Sequence, residues 1–264
     1  MKKVFLAFLF AAFALIISSA VFADDLPGYT DTPFIPNSEW RVHDKNRPQP
    51  PKVTPGTGDL GATPPADAVI LFDGTNLDAW KRNDGQPIPE DAIQDGTFNI
   101  RKTSYIRTKE DLGSIQLHLE WRSPTTPENR MSWGNSGVFL MDAFEIQISE
   151  SHDSNIYADG IAGAIYGQFP PMVNPSRKPG EWQSYDIFFT APRFEDRTLV
   201  SPAYVTVIYN GVLVQNHREL LGTTRHKEAP YPYPIQEKRA LMLQEHNSEV
   251  LFRNIWYREI KDAE

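Results

Sequence analysis

Glu145 and Gln147 are the first residues whose types and spacing suggest chemistry. Within Ala143–Ser149, Phe144, Ile146 and Ile148 alternate with Glu145, Gln147 and Ser149, which is the period of an extended strand. A carboxylate and a carboxamide then stand side by side, opposite the apolar set, and together they can both donate to and accept from the hydroxyls of a sugar. Most Glu-x-Gln triplets are ordinary solvated residues on an outer face. What distinguishes this one is its neighbourhood. Asn135-Ser136-Gly137 opens the preceding apolar segment, with Trp133 just before it. Asn135 brings a donor and an acceptor, and the Trp133 indole offers the flat apolar face that suits a sugar ring. In Leu241–His246, Leu241 and Leu243 point one way while Met242, Gln244 and His246 share the other side. His246 ends the segment, where a loop mouth is expected, and an imidazole there can take or give a proton near neutral pH.

A second polar stretch, Ser151–Arg177, carries His152, Asp153, Tyr157, Asp159, Tyr166, Gln168, Asn174 and Arg177. Long loops in compact domains are usually functional or disordered. Its oxygen-bearing side chains are compatible with Ca²⁺. Their spacing matches no metal motif, however, so solvated loop residues are the plainer reading and no cofactor is expected. Tyr166 and Trp182 are candidates either for a cleft lining or for the core. Tyr231 and Tyr233, interleaved with Pro230, Pro232 and Pro234, form a stiff connection and a candidate cleft wall.

Short β segments must position these groups. Ser114–Arg122 alternates strictly, with Ile115, Leu117, Leu119 and Trp121 against Gln116, His118, Glu120 and Arg122, which predicts a strand with one face buried. Further strands are expected at Val69–Phe72, Thr97–Ile100, Ser136–Met141, Ala162–Tyr166, Trp182–Thr190, Ala203–Tyr209, Val212–Asn216, Ala240–Gln244 and Val250–Ile260. Asn210-Gly211 between two of them is a type I′ hairpin signal. Helical apolar stripes are lacking beyond the N-terminus, so the pattern predicts an all-β, antiparallel, two-sheet jelly-roll sandwich.

Composition bounds the rest. In 264 residues, 40% are hydrophobic and 12% aromatic, enough for a sizeable core. The balance of 26 basic to 34 acidic residues, net −8, and the lack of any basic block argue against nucleic-acid binding. With no cysteine, disulfides, thiolate metal sites and a Cys nucleophile are excluded. Lys2 and Lys3, the apolar run Val4–Ile17 and the small residues before Asp24 read as a signal peptide over residues 1–23, cut after Ala23. The expected location is therefore a bacterial periplasm or the exterior, with no stable membrane anchor after cleavage. Residues 24–67 hold nine prolines and read as an extended arm. Its Tyr29, Phe34, Ile35, Trp40 and Val42 suggest that it docks on the main domain, residues 68–264. Oligomeric state is not legible.

Eight short motifs, in order, carry a family resemblance. They are Leu71-Phe72-Asp73-Gly74 with Leu77 and Trp80, Asn135–Leu140, Phe144–Ile148, Gly163–Tyr166, Pro179–Trp182, Tyr209–Gly211, Leu243–His246 and Phe252–Ile255. The segment Val69–Ile260 resembles the 3-keto-disaccharide hydrolase domain family, similar in fold to concanavalin A-like lectins and glucanases. The resemblance implies a carbohydrate substrate and a jelly roll. Related glucanases place carboxylates at i, i+2 and i+4 of one strand, where this chain has Glu145, Gln147 and Ser149. A retaining glycosidase needs two carboxyl groups ~5–5.5 Å apart, and this strand supplies one. A 3-keto sugar needs no such pair, because the C3 carbonyl acidifies the C2 proton and one base can start an elimination at C1, followed by hydration. On that reading Glu145 or His246 is the base. Asn135, Gln147 and Gln244 hold hydroxyls or the keto oxygen, Tyr166 and Trp133 contribute to substrate binding, and Arg253 is a weaker candidate for oxyanion stabilisation. Two alternatives stand beside it. One is a non-catalytic, lectin-like module. The other is a plain glycoside hydrolase with Glu150, Asp186 or Glu245 as a second carboxylate within reach of Glu145.

Overall fold

The structure is a computed structural model and describes residues 27–56, 60–126, 129, 132–153, 156–230 and 232–261. The expected signal peptide and Tyr231 lie outside the described residues. The strands, in chain order, are β1 (Val69–Phe72), β2 (Trp80–Arg82), β3 (Ile93–Gln94), β4 (Thr97–Asn99), β5 (Ile106–Leu112), β6 (Ile115–Arg122), β7 (Ser136–Leu140), β8 (Phe144–Ile148), β9 (Gln183–Thr190), β10 (Arg193–Glu195), β11 (Thr198–Ser201), β12 (Tyr204–Tyr209), β13 (Val212–Glu219), β14 (Arg239–Leu243) and β15 (Leu251–Glu259). Every strand pairing between them is antiparallel. One large sheet runs β13-β12-β9-β6-β15-β4-β3, with β1 also on β15, and a smaller one runs β2-β5-β14-β7-β8. The fold is the jelly-roll sandwich that the alternation predicts.

Alternation explains the core. The inward rows Leu117, Leu119 and Trp121 on β6 and Tyr185 and Ile187 on β9 meet Val138 and Leu140 on β7, Phe144, Ile146 and Ile148 on β8, and Leu241 and Leu243 on β14, all at most 1% exposed. Burying one such side chain is worth ~1.5–3 kcal/mol. The polar partners of the β7 and β8 rows, Gly137, Glu145 and Gln147, therefore project from the opposite face of the smaller sheet. The Asn210-Gly211 hairpin forms as expected between β12 and β13, with Tyr209 paired to Val212 and positive φ of 51° and 79° at the two turn residues.

Three local expectations fail. Ala162–Tyr166 is not a strand. Gly163 and Gly167 take positive φ and bend the chain, yet the segment still covers the free edge of β8, where Gln147 N–H donates to Ala164 O (3.0 Å) and Tyr166 N–H donates to Glu145 O (3.1 Å). β5 is a strand not foreseen, since Arg107–Asp111 is almost wholly polar. β6 is buried on both faces rather than one, because His118 and Glu120 are covered as well. Part of that cover comes from the arm. Gly61 N–H donates to Glu120 Oε1 (2.6 Å), Asn254 Nδ2 donates to Ala62 O (3.1 Å) and Arg258 clasps Asp67. At the other end of the arm Val42 and His43 are fully buried. Among the described residues one α-helical turn occurs, Ile100–Thr103, started by Asn99, whose side chain accepts from Arg101 N–H (3.0 Å), beside the short 3₁₀ turns Glu90–Ala92 and Ala158–Gly160. Among the described residues no helix is long and apolar enough to cross a membrane.

Candidate active site

The polar face of the smaller sheet forms the floor of a groove of about 480 Å³. Phe139 from β7 and Glu145 and Gln147 from β8 line it, joined by Asn135 before β7, by Gln244 and His246 just after β14, and by Tyr157, Tyr166, Thr224 and His226 from loops. Six of the residues singled out from sequence, Asn135, Glu145, Gln147, Tyr166, Gln244 and His246, are thus brought together.

Glu145 is the odd member. Its side chain is 4% exposed, and among the described residues no donor reaches the carboxylate. Burial alone pushes its pKa up to about 8, because a dry site disfavours the charged form. Room for it is made by Gly137 on the neighbouring strand. A Cβ there would collide with the Glu145 carboxylate, so the glycine of the Asn-Ser-Gly motif is a steric allowance for the acid. The strand is held from behind, since Thr224 Oγ1 accepts from Glu145 N–H (3.0 Å).

Beside it runs an amide relay. Gln147 Nε2 donates to Asn135 Oδ1 (3.1 Å), and Asn135 Nδ2 lies 3.1 Å from His246 Nδ1. With Nδ1 accepting, a neutral imidazole carries its proton on Nε2 and offers the groove a donor rather than a lone pair. Gln147 Oε1 is buried with no partner among the described residues, an acceptor left for a ligand hydroxyl. Across the groove Tyr166 Oη contacts Tyr157 Oη (2.9 Å) and His226 Nδ1 (2.9 Å). Burial raises the pKa of both tyrosines, which keeps them neutral donors, and burial together with the nearby His43, Lys227 and His246 lowers that of His226 to about 4. The groove therefore combines a buried acid, an amide-oriented histidine and several neutral hydrogen-bonding groups. Such a set can move a proton at carbon and hold oxygen atoms while doing so.

Other expected members lie elsewhere. Arg253 sits on β15 of the large sheet, where Nε donates to Glu120 Oε2 (2.7 Å) and the guanidinium stacks on Trp182. That bond holds it on the other sheet, away from any oxyanion in the groove. Trp133 turns its indole N–H to Pro124 O (2.9 Å) and does not line the groove. Trp182 is neither core nor part of this groove but lies between Arg122 and Arg253 in a separate pocket. Tyr233 packs on Phe144 and donates to Leu220 O instead of forming a cleft wall. The three proposed second carboxylates are also absent from the lining. Glu150 accepts from His152 N–H (2.7 Å), Asp186 binds His118 (2.7 Å) and Glu245 accepts from Asn247 N–H (2.5 Å). In the Ser151–Arg177 loop Asp159 binds His43 and His152 pairs with Asp153, and no trio of His, Cys, Asp or Glu suited to a metal occurs among the described residues. The sequence reading missed Tyr29, Tyr157, Thr224 and His226 as groove residues. His226 stood in plain view as one of six histidines, but nothing local ties it to Tyr166, 60 positions away.

The family described as the 3-keto-alpha-glucoside-1,2-lyase-like domain matches residues 67–258, a span that holds the strands named above, save the last residue of β15, and almost the whole groove. The chain belongs to this family. A crystal structure of a "putative glycosyl hydrolase" from Parabacteroides distasonis is 40% identical, covering 84% of this chain and 98% of that one, with a TM-score of 0.72. A second P. distasonis structure with the same description shares the fold at 20% identity and TM-score 0.54, covering 74% of this chain and 94% of its own. No curated protein matches the chain. Membership in the 3-keto-alpha-glucoside-1,2-lyase-like family makes this a carbohydrate-active fold, and four of the eight sequence motifs, Asn135–Leu140, Phe144–Ile148, Gly163–Tyr166 and Leu243–His246, supply residues of its polar groove.

Proposed function

We propose that the protein cleaves 3-keto-α-glucosides by elimination across C1 and C2, with hydration of the product completing a net hydrolysis. The observation that carries this reading is the meeting, in one groove, of a buried carboxyl with a raised pKa and an amide-oriented histidine, without a second carboxylate in the lining among the described residues. Among the described residues two-carboxylate hydrolysis lacks its second group there. The C2 proton of a 3-keto sugar needs only one base, and a carboxylate of pKa about 8 is a stronger base than an ordinary one.

Glu145 takes the C2 proton as the C2–H bond breaks and the C3 oxygen gains charge. The enolate then collapses, C1=C2 forms, and the C1–O bond breaks. The leaving oxygen takes a proton from the Nε2–H of His246 or from solvent. Gln244 and the amide relay hold the keto oxygen and the neighbouring hydroxyls. A positioned base contributes ~10²–10⁴ in rate and one oxyanion donor ~10²–10³. The expected signal peptide, if cleaved, delivers the enzyme to a periplasm or the exterior, where glycosides are met.

The test is to incubate the purified protein with a 3-keto-α-glucoside and, separately, with its unoxidised parent. Release of the aglycone from the first alone supports the reading. Cleavage of the unoxidised glycoside, or binding of both without turnover, contradicts it.

A further inference from the structure

The segment before residue 67 lies outside the family's matched span, yet it reaches the groove through Tyr29. Tyr29 is held firmly there. Its N–H donates to His43 O (2.8 Å), and its carbonyl accepts from Lys45 N–H (3.2 Å). Gly28 before it has φ +139°, and a Cβ there would come within 2.7–2.8 Å of Lys45 and His43 backbone atoms, so the turn accepts glycine alone. His43 anchors the arm. It is fully buried, with its backbone N–H on Asp159 Oδ2 (2.9 Å), its Nδ1 3.2 Å from Asp159 Oδ1, and its ring centroid 4.0 Å from that of Tyr157. Arg47 adds a bond to Gln168 O (3.0 Å). The proton chemistry of Glu145 uses none of these buried groups, so their role is to hold the arm against the groove.

What they hold is an aromatic wall. Tyr29 meets the His226 ring edge-on at 5.9 Å and lies 6.1 Å from Tyr157, and Lys227 Nζ covers one of its faces at 3.8 Å. The hydroxyls of Tyr157 and Tyr166 are engaged with each other and with His226, so this side is lined by aromatic rings, Tyr29, Tyr166 and His226 the more exposed of them, while the opposite side presents amides, the carboxyl and His246. The two sides adjoin at Glu145, whose carbonyl takes the Tyr166 N–H. A polar, hydroxyl-reading side suits the keto ring. An aromatic wall suits the C–H face of a second pyranose.

We propose that Tyr29, Tyr157, Tyr166 and His226 form the subsite for a pyranose leaving group at C1, and that the arm, through Tyr29, selects disaccharides over simple glycosides. This rests on the groove's reading as a 3-keto-α-glucoside site. The experiment measures kcat/KM for the wild type, Tyr29→Ala and His226→Ala with an oxidised α-linked diglucoside and with methyl 3-keto-α-glucoside. His226→Ala probes the wall from its loop side and leaves every residue of the arm in place. Both variants are expected to lose about three- to tenfold more on the diglucoside than on the methyl compound, mainly through KM. Equal losses on the two substrates, or no loss on the diglucoside, overturn the proposal. In parallel, glucose, as the free leaving sugar, is titrated into wild type and Tyr29→Ala and followed by NMR. The wild type is expected to bind about three- to tenfold tighter. Equal affinity, or no saturable binding by the wild type, overturns the subsite. If the wild type turns over neither 3-keto-glycoside, the reaction assignment fails while the glucose titration still decides the wall.

Discussion

Glu145 and Glu120 sit on strands of opposite sheets, each a polar residue in an alternating segment and each nearly fully buried, at 4% and 0% exposure. Their chemistry diverges completely. Burial alone would raise Glu120 as it raises Glu145. Hydrogen bonds from His118, Asn254, Gly61 N–H and Arg253 outweigh that and hold Glu120 down at about 2. Its neighbour His118 is likewise lowered by burial but carried up to about 9 by Asp186 and Glu120, with Trp256 stacked on its ring at 5.2 Å. That cluster is a satisfied ion network that ties the arm to the large sheet. Glu145 has no such partners among the described residues and faces an open groove. Burial therefore does not identify the reactive carboxylate. Burial without compensation, beside a groove, does.

The sharpest way to break this contrast is to neutralise each acid in turn. Glu145→Gln is expected to lower kcat/KM on a 3-keto-α-glucoside by ~10²–10⁴, as measured by aglycone release. It should not destabilise the fold. The folded-state pKa of Glu145 lies above its unfolded value of 4.5, so the folded protein holds the extra proton. As pH rises from about 4.5 to about 8 the unfolded chain gives up this proton while the folded protein keeps it, so stability falls progressively across that window. Denaturant midpoints of Glu145→Gln should accordingly exceed those of the wild type at pH 8, by up to a few kcal/mol. An unchanged pH dependence would remove the case for an uncompensated acid. Glu120→Gln is expected to act in reverse. Loss of the buried charge takes the carboxylate from Arg253 and leaves His118 with Asp186 alone, and costs ~3–5 kcal/mol in urea unfolding, with activity of the folded fraction kept. The Glu120 contribution is present above about pH 4.5 and is lost as pH falls toward 2, whereas the His118 contribution is present below about 6.5 and is lost as pH rises through about 9.

A finer cut is Gly137→Ala. The added methyl displaces the Glu145 carboxylate by contact, so kcat/KM should fall roughly ten- to a hundredfold with little change in thermal midpoint. A midpoint loss with full activity would place Gly137 in folding rather than in the site. The smallest effect is expected from Arg253→Ala, at about 1 kcal/mol or less, because its side chain is 33% exposed and Glu120 keeps other partners. Turnover should not change. A large kinetic loss would return Arg253 to the oxyanion role that its place on β15 argues against.

The sequence carried the part of this contrast that is local. Alternation placed Glu145 and Gln147 on one face and Leu241 and Leu243 opposite Gln244 and His246, because a strand's period is written in consecutive residues. Asn135 followed from the Asn-Ser-Gly motif, and the Asn210-Gly211 turn from backbone preference. What escaped depends on distant parts of the chain. Glu120 read as an outward, solvated residue, since nothing within β6 announces that residues 60–62 will cover it. β5 went unseen because its register comes from pairing with β2 and β14 and not from its own polar run. His226, Tyr157 and Tyr29 meet only through loops and the arm, and Arg253 was misplaced because a motif position says nothing about which sheet face it serves.

The central claim, that Glu145 is the base for the C2 proton, is tested most directly by the pH profile of kcat/KM for elimination from a 3-keto-α-glucoside, run on wild type and Glu145→Gln. The account predicts a wild-type rate that climbs with pH to a plateau through a midpoint near 8, the pKa of the free carboxyl, and a variant profile without that limb. A wild-type rate that falls through pH 8, or a variant that keeps the same rising limb, would contradict it.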